Sequence, residues 1–307
     1  MSWQRASNDK TGPSTPTSRL TAEHPKTGSN HFATTGWGLS SDTRTIFRTD
    51  NRKTRPQAMA MIEELERSGN WLFRGRSYFP LVLYVLMAMV IGMEWDPLFQ
   101  TFDLISAVAC IAISMLGLVI RSLTIGYTPR GTSGRNTNAG QVAEVLNTQG
   151  MYSLVRHPLY LGNFFMWLGI MVYVGNVWFT VVCCLLYWLY YERIMFAEEA
   201  FLRKKFGQAY LDWSLDVPAF WPRNLKWQTP DVDFSLRNVL KREYNGFFAV
   251  FVSLSMVSAG KTYVHVTRDW ELVLQPFWQG ALIGSFAVFI LLRSLKRYSR
   301  VLHVEGR

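Results

Sequence analysis

From Tyr78 onward the chain alternates long apolar runs with short polar breaks. A bilayer core is spanned by about 20 mostly apolar residues in helix. Six runs approach that length: Tyr78 to Trp95, Phe102 to Ile125, Tyr160 to Gly175, Val177 to Ala197, Phe247 to Val266 and Trp270 to Leu292. The pattern predicts an all-α integral membrane protein with about six transmembrane helices. The third run is short and the fourth follows directly after Gly175 and Asn176, so the two form a tight helical hairpin. The fifth contains Lys261 and His265, which must snorkel or face protein.

Upstream of these runs, residues 1–56 are rich in Ser, Thr, Gly, Asn and Pro and show no apolar periodicity, the composition of a disordered extension. They hold no apolar core of the secretory-signal kind. Their Ser/Thr/Arg bias leaves open a transit peptide, or an extension upstream of a start at Met59 or Met61. Residues 57–77 form an amphipathic juxtamembrane segment, with Met61, Ile62 and Leu65 on one side of a helix from Ala58 to Arg67, followed by Arg74 and Arg76. The rest divides into a core of four spans with their loops (78–245), two further spans (246–292) and a basic tail (293–307).

Composition agrees with a membrane setting, since 49% of residues are hydrophobic and only 18% charged. The formal net charge of +10 points to an anionic partner. Its Lys and Arg flank apolar runs and form no continuous stripe, which favours a membrane surface over nucleic acid. Basic residues collect before the first run, after the second, after the fourth and in the tail, so both termini are expected in the cytoplasm. Cys110, Cys183 and Cys184 lie inside apolar stretches and form neither a disulfide framework nor a metal-ligand spacing. Nothing in the chain points to an obligate protein partner.

Two polar segments on that basic side interrupt the bundle, and long loops in compact proteins concentrate function. The first ends G-M-Y-S-L-V-R-H-P-L-Y-L-G, which places Arg156 and His157 before Pro158 at the start of the third span. Free amides at a helix start beside two cationic side chains suit an anionic group; the same residues also suit a plain interfacial anchor with Tyr160 in an aromatic belt. The second begins at Glu198 and Glu199, where the fourth span leaves the apolar region. Alone these are a solvated pair balanced by Arg203 and Lys204 at helical spacing. Together the segments flank one hairpin and bring cations, amides and a carboxylate pair to one edge, the combination a zwitterionic amino-acid ligand needs.

At these residues the chain resembles the isoprenylcysteine carboxyl methyltransferase and phospholipid methyltransferase superfamily. The likeness rests on Arg156-His157-Pro158-Leu159-Tyr160-Leu161-Gly162, the hairpin, Glu198-Glu199-Ala200-Phe201-Leu202, Phe206-Gly207, Tyr210 and Val217-Pro218, and spans about Gly150 to Pro222. The resemblance implies an S-adenosylmethionine site at the cytoplasmic edge, formed around the hairpin. It implies cofactor contacts from His157, Tyr160, Gly162, Glu198 and Glu199, with Tyr152 and Tyr210 beside them, and Arg156 as the catalytic residue near the methyl acceptor. Arg130, Arg135 and Asn136 form a donor-rich loop that suits an acceptor head group. The expected reaction is methyl transfer to a carboxylate or phosphate oxygen of a membrane-embedded lipid or lipidated molecule, with a slight preference for an anionic lipid over a prenylated cysteine.

Two other classes stay open on sequence alone. Membrane sterol-type reductases share a related R-H-P segment and use a nicotinamide cofactor, but usually carry Asn before the Tyr and Glu after the Gly, where this chain has Leu159 and Asn163. A non-enzymatic polytopic protein is the other, although no internal repeat or broken-helix pair is evident.

Overall fold

Helix α1 (Met61–Gly75) and helix α2 (Phe79–Gly92) meet at a bend of 77°. Pro in the first turn of α2 lacks the N–H needed to continue α1, and the turn places Arg76 at the corner. α3 (Leu104–Gly126) starts on Asp103, whose carboxylate accepts from the Ile105 and Ser106 amides at 3.1 and 2.9 Å. A two-stranded hairpin, β1 (Arg135–Thr137) and β2 (Gly140–Val142), follows with Arg135 opposite Val142. α4 (Pro158–Tyr173) and α5 (Val177–Phe206) form the expected hairpin. Gly175 takes φ 85°, a value favouring glycine, and Asn176 caps α5 by accepting from the Phe179 amide at 2.8 Å. After Gly207 (φ 55°) come α6 (Gln208–Asp216), α7 (Leu236–Thr262) running into a π-helical turn (Tyr263–Thr267), and α8 (Pro276–Tyr298).

This computed structural model describes residues 61–93, 103–129, 132, 135–137, 140–267 and 273–304, with backbone only at 135–137, 140–142 and 267. All lie in the compact unit Pro56–Arg307. The extension read as disordered, residues 1–56, lies outside them, as do Arg130 and the breaks at 94–102 and 268–272.

Among the described residues four helices are long and apolar enough to cross a membrane: α3, α5, α7 with its π-helical continuation to Val266, and α8. The bent α1–α2 pair makes a fifth if counted as one span. The apolar runs predict six. The difference lies in α2 and α4, whose 14 and 16 residues reach about 21 and 24 Å at 1.5 Å per residue, short of a core of about 30 Å. α7 begins at Leu236 rather than Phe247, adding polar turns ahead of the apolar run. Lys261 faces protein: its ammonium is buried, donates to the Tyr173 carbonyl at 3.1 Å and stands 4.9 Å from that residue's ring.

Small residues draw the site-bearing helices together. α3 and α4 cross so closely that a Cβ on Gly117 would strike the Gly162 carbonyl and Met166, and one on Gly169 would strike Ser114 and the Cys110 carbonyl. A Cβ on Gly69 of α1 would strike the Arg193 carbonyl of α5. Apolar solvent of the bilayer kind gives helices little reason to associate, so this close approach replaces a hydrophobic drive with backbone packing. The outer faces stay apolar: Leu81, Val82 and Val85 on α2, Leu185 and Leu189 on α5, and Ile283, Phe286 and Leu291 on α8 are exposed.

Candidate functional site

The residues preceding α4 are held in place by a distant part of the chain. Gly150 (φ 62°) donates to the Gln228 carbonyl at 2.9 Å, and a short 3-10 turn follows over Gly150–Ser153. Arg156 N–H then donates to the Pro218 carbonyl at 2.8 Å and His157 N–H to the Ala219 carbonyl at 3.0 Å. Val217-Pro218 is thus the segment on which Arg156-His157 docks, with buried Val217 and Phe220 fixing it to the core. Pro158 opens α4.

The Arg156 guanidinium closes the junction. Its Nε and Nη2 donate to the two oxygens of Glu199 at 2.9 and 3.0 Å, and its Nη1 donates to the Ser214 and Val217 carbonyls at 3.0 and 2.8 Å. One planar fork therefore joins the start of α4, the end of α5 and the exit of α6, with nearly all its donor capacity used. His157, buried, lies between the two carboxylates: Nε2 is 2.9 Å from Glu199 Oε1 and Nδ1 is 3.6 Å from Glu198 Oε2. Its ring stacks on Tyr160 with centroids 5.7 Å apart.

The electrostatics follow from that packing. Burial pulls the His157 pKa down, but hydrogen bonds and charges from Glu198 and Glu199 outweigh it and raise it to about 8. The apolar run of α5 ends at Ala197, so Glu199 stands outside it. Burial pushes the Glu199 carboxyl up; His157 and Arg156 push it down further, to about 2. Tyr210, fully buried, is held well above the usual phenol range by burial and then by the Glu199 charge.

Arg156, His157 and Glu198 form one wall of a cavity of about 410 Å³. The α1–α2 corner contributes Arg76 and Pro80, α3 contributes Arg121, and the segment before α4 contributes Asn147, Tyr152, Arg156 and His157. Tyr160, Asn163 and Trp167 of α4, Tyr191, Glu198 and Leu202 of α5, and Trp213 of α6 complete it. Trp213 is fixed by donating from its indole to the Tyr152 carbonyl at 3.2 Å.

Of the residues singled out in the sequence, Tyr152, Arg156, His157, Tyr160 and Glu198 line this cavity. Glu199 stands behind the wall, gripping Arg156 and His157, and Tyr210 lies in a small core with Ala143 and Leu202. Gly162 packs against Gly117 and Arg121 at the α3–α4 crossing. Arg135 and Asn136 lie in β1, described by backbone alone, and Arg130 lies outside the described residues.

A second charged cluster reaches the cavity from α3. Arg121 of α3 donates from Nε and Nη2 to both oxygens of Glu243 at 2.7 Å, and from Nη1 to Asn163 Oδ1 at 2.6 Å. Glu243 comes from α7 and is 4% exposed. Arg76 is the cavity-lining Arg with no carboxylate within ion-pair distance among the described residues; its guanidinium lies 4.4 Å over the Phe73 ring. Neither Asn163 nor Glu243 stands out in the sequence. Arg121 does, as an ionisable residue near the end of an apolar run.

Among the described residues no group of His, Cys, Asp and Glu is placed to hold a metal ion. The family model for phospholipid methyltransferase matches residues 104–209, from the start of α3 into α6. The chain is 38% identical over 108 residues to the protein-S-isoprenylcysteine O-methyltransferase of Schizosaccharomyces pombe, covering 35% of this chain and 45% of that one. It is 30% identical over 112 residues to the enzyme of the same name from Tribolium castaneum (35% and 38%) and 28% identical over 144 residues to the nickel-cobalt-cadmium resistance protein NccN of Alcaligenes xylosoxydans xylosoxydans (47% and 62%). The chain thus spans about half the length of the curated relatives it matches. No solved structure matches. Over residues 104–209, the motif residues, the helical hairpin between them and these matches support a relationship to the isoprenylcysteine carboxyl methyltransferase and phospholipid methyltransferase superfamily.

Proposed function

We propose that the protein transfers a methyl group from S-adenosylmethionine to an oxygen of a lipid or lipidated acceptor, on the cytoplasmic side of a membrane. The observation that carries this reading is the cavity wall on which Glu198 faces the interior beside His157 and Arg156. A zwitterionic amino-acid group finds there an acceptor for its ammonium, Glu198, and donors for its carboxylate at the remaining Arg156 N–H and the start of α4. Trp213, Tyr152 and Tyr191 supply flat aromatic surface for a base and for a sulfonium. A cavity of about 410 Å³ falls in the range of about 300–1,000 Å³ typical of small-molecule sites.

Bound there, the cofactor supplies an already activated methyl group. The chain's own residues then have to position and to exclude water. An ionised oxygen acceptor has no proton to lose, so His157, held protonated between two carboxylates, acts as a fixed charge and not as a base. Arg156 keeps its expected place next to the acceptor through its cavity-facing edge, while its fork holds the junction. Arg76 is assigned to the acceptor's anionic group, since its charge is the one on the wall left without a carboxylate among the described residues. The helices around the cavity present apolar outer faces, which suits an acceptor arriving through the bilayer. Orientation follows from charge: Arg203, Lys204, Lys205, Arg237, Lys241 and Lys296 gather at the site end.

The test is transfer of labelled methyl from S-adenosylmethionine by the purified full chain to a membrane lipid extract and, separately, to a prenylated cysteine. Label in an anionic lipid or in a base-labile ester of the prenylated cysteine is expected. Label confined to amine head groups overturns the oxygen acceptor.

A further inference from the structure

Helix α7 lies wholly beyond the family match, which ends at residue 209, yet its Glu243 reaches the cavity through Arg121. The start of α7 is docked on the end of α3 at two fixed points. Ser235 N–H donates to the Gly126 carbonyl at 2.9 Å, and the buried Asn238 side chain donates from Nδ2 to the Ile125 carbonyl at 2.9 Å. These bonds set the register of α7 against α3 and bring Glu243 level with Arg121, about one turn further along each helix.

Packing alone gives no reason for charge at this contact, because a buried ion pair adds little stability over well-packed apolar side chains of similar volume. The pair also opens on the cavity. Arg121 and its third partner Asn163 both line it, and Arg121 keeps 21% side-chain exposure there while Glu243 keeps 5%. A guanidinium carries five N–H groups. Two of Arg121's go to Glu243 and one to Asn163, so one on each of Nη1 and Nη2 is left over among the described residues. Arg156, by contrast, spends four and keeps one.

Methyl transfer needs the attacking oxygen held in line with the methyl group and the sulfur, so a donor fixed in direction contributes what a loosely held charge does not. Arg76 brings charge to the cavity but rests only on the Phe73 ring. Arg121 is held at all three of its nitrogens. Resting on the methyl-transfer reading above, we propose that α7 is part of that site and that Glu243 is a positioning residue, which holds Arg121 so that its two remaining N–H groups meet the oxygens of the acceptor. One N–H on each of two nitrogens fits an acceptor with two oxygens on one centre, a carboxylate or a phosphate.

The experiment uses the purified full chain in detergent, with a prenylated cysteine and phosphatidylglycerol as acceptors. Melting temperature, S-adenosylmethionine affinity, acceptor binding without cofactor and transfer kinetics are all measured. Glu243→Gln keeps the side chain's shape but loses its charge and one accepting oxygen. It is expected to lower kcat by roughly tenfold or more, to weaken acceptor binding by a smaller factor and to leave S-adenosylmethionine affinity unchanged. Arg121→Met with Glu243→Leu separates this from folding: the melting temperature returns close to that of the wild type and transfer does not. Wild-type transfer by that stable double variant makes the pair a helix clamp and overturns the proposal. So does an equal loss of cofactor affinity in Glu243→Gln, which moves Arg121 to the cofactor. If the double variant fails to fold, the split between turnover and cofactor affinity in Glu243→Gln decides alone. A wild-type protein that binds no S-adenosylmethionine is a different failure, that of the methyl-transfer reading itself, and the proposal falls with it.

Discussion

Two arginine–glutamate forks reach the same cavity, one from the segment before α4 and one from α3, and they are built differently. Arg156–Glu199 is surrounded by backbone: the guanidinium also holds the Ser214 and Val217 carbonyls, and the peptide that carries it pairs with Pro218 and Ala219. Arg121–Glu243 has side chains alone, with Asn163 as its third partner, and bridges α3 to α7 between apolar helices. The first pair therefore fixes a loop, where water can partly replace a lost bond. The second fixes a helix contact in which Arg121 is as open to the cavity as Arg156 (21% and 16% side-chain exposure), but its carboxylate is far more enclosed (5% against 20%). Both are geometrically strong, so the difference teaches that the surroundings and not the bond lengths set what each contributes.

The comparison breaks most visibly at Glu243. Glu243→Ala leaves the partly buried Arg121 without its carboxylate, a change that costs about 3–5 kcal/mol where a fully buried pair is split and less here, since Arg121 keeps 21% side-chain exposure. Thermal unfolding in detergent should show the variant destabilised. Arg121→Met with Glu243→Leu, which removes both charges, should recover most of that loss. A double variant no more stable than the single one contradicts the reading of the pair as a buried contact.

Arg156→Lys keeps a charge but loses the fork. A stability loss of about 1–3 kcal/mol is expected, since several charge-assisted bonds go while water has access. Because the junction shapes the wall proposed to hold the cofactor, affinity for S-adenosylmethionine and turnover should both fall, and calorimetry together with initial rates measures them. Retained stability with turnover alone reduced would return Arg156 to a purely acceptor-facing role.

The same cluster predicts a pH profile. His157 is raised in the folded state from 6.5 to about 8, so its stabilising contribution is complete below about 6.5 and is lost as pH rises through 8. Glu199 is lowered from 4.5 to about 2, so its contribution is present above about 4.5 and lost as pH falls toward 2. Between pH 6 and 9 the melting temperature should fall, and His157→Gln should flatten that slope. An unchanged slope in the variant assigns the pH dependence elsewhere.

Arg76→Gln is expected to have the smallest effect on the fold. It gives up only a ring contact at the α1–α2 corner, worth about 0.5–1 kcal/mol at a partly exposed site. KM for the acceptor should rise several-fold with cofactor affinity unchanged. A rise in cofactor Kd instead would move Arg76 to the cofactor's carboxylate.

The two forks also mark how far the sequence could be read. Arg156, His157 and Glu198-Glu199 are legible because local signals surround them: a Pro that opens a helix, a Gly-Asn turn that folds the hairpin, and charges placed where an apolar run ends. Arg121 offers the last of these signals, at the end of an apolar run, but nothing local points to Glu243 as its partner. The two are 122 positions apart, and Glu243 sits among Lys241, Arg242 and Arg237, where any acidic residue reads as part of a solvated face. The division of labour between adjacent carboxylates was equally hidden. Glu198 and Glu199 differ by about 100° around the helix, which turns one into the cavity and the other behind it, and only the packing of α4 against α5 decides which. The expected six spans are matched in part, by four helices long enough to cross or five with the bent α1–α2 pair, for a related reason: an apolar run reports burial in any apolar medium, and among the described residues α2 and α4 are apolar but short.

Affinity for S-adenosylmethionine across the carboxylate pair tests the central claim most directly. Calorimetry on the purified full chain in detergent should show binding of S-adenosylmethionine and none of a nicotinamide dinucleotide. Glu198→Gln should weaken binding by roughly tenfold or more, the loss of about 1.4 kcal/mol or more expected of one charge-assisted contact, with melting temperature unchanged. Glu199→Gln should lower the melting temperature as well. Full affinity in Glu198→Gln, or binding of the dinucleotide in place of S-adenosylmethionine, contradicts the account.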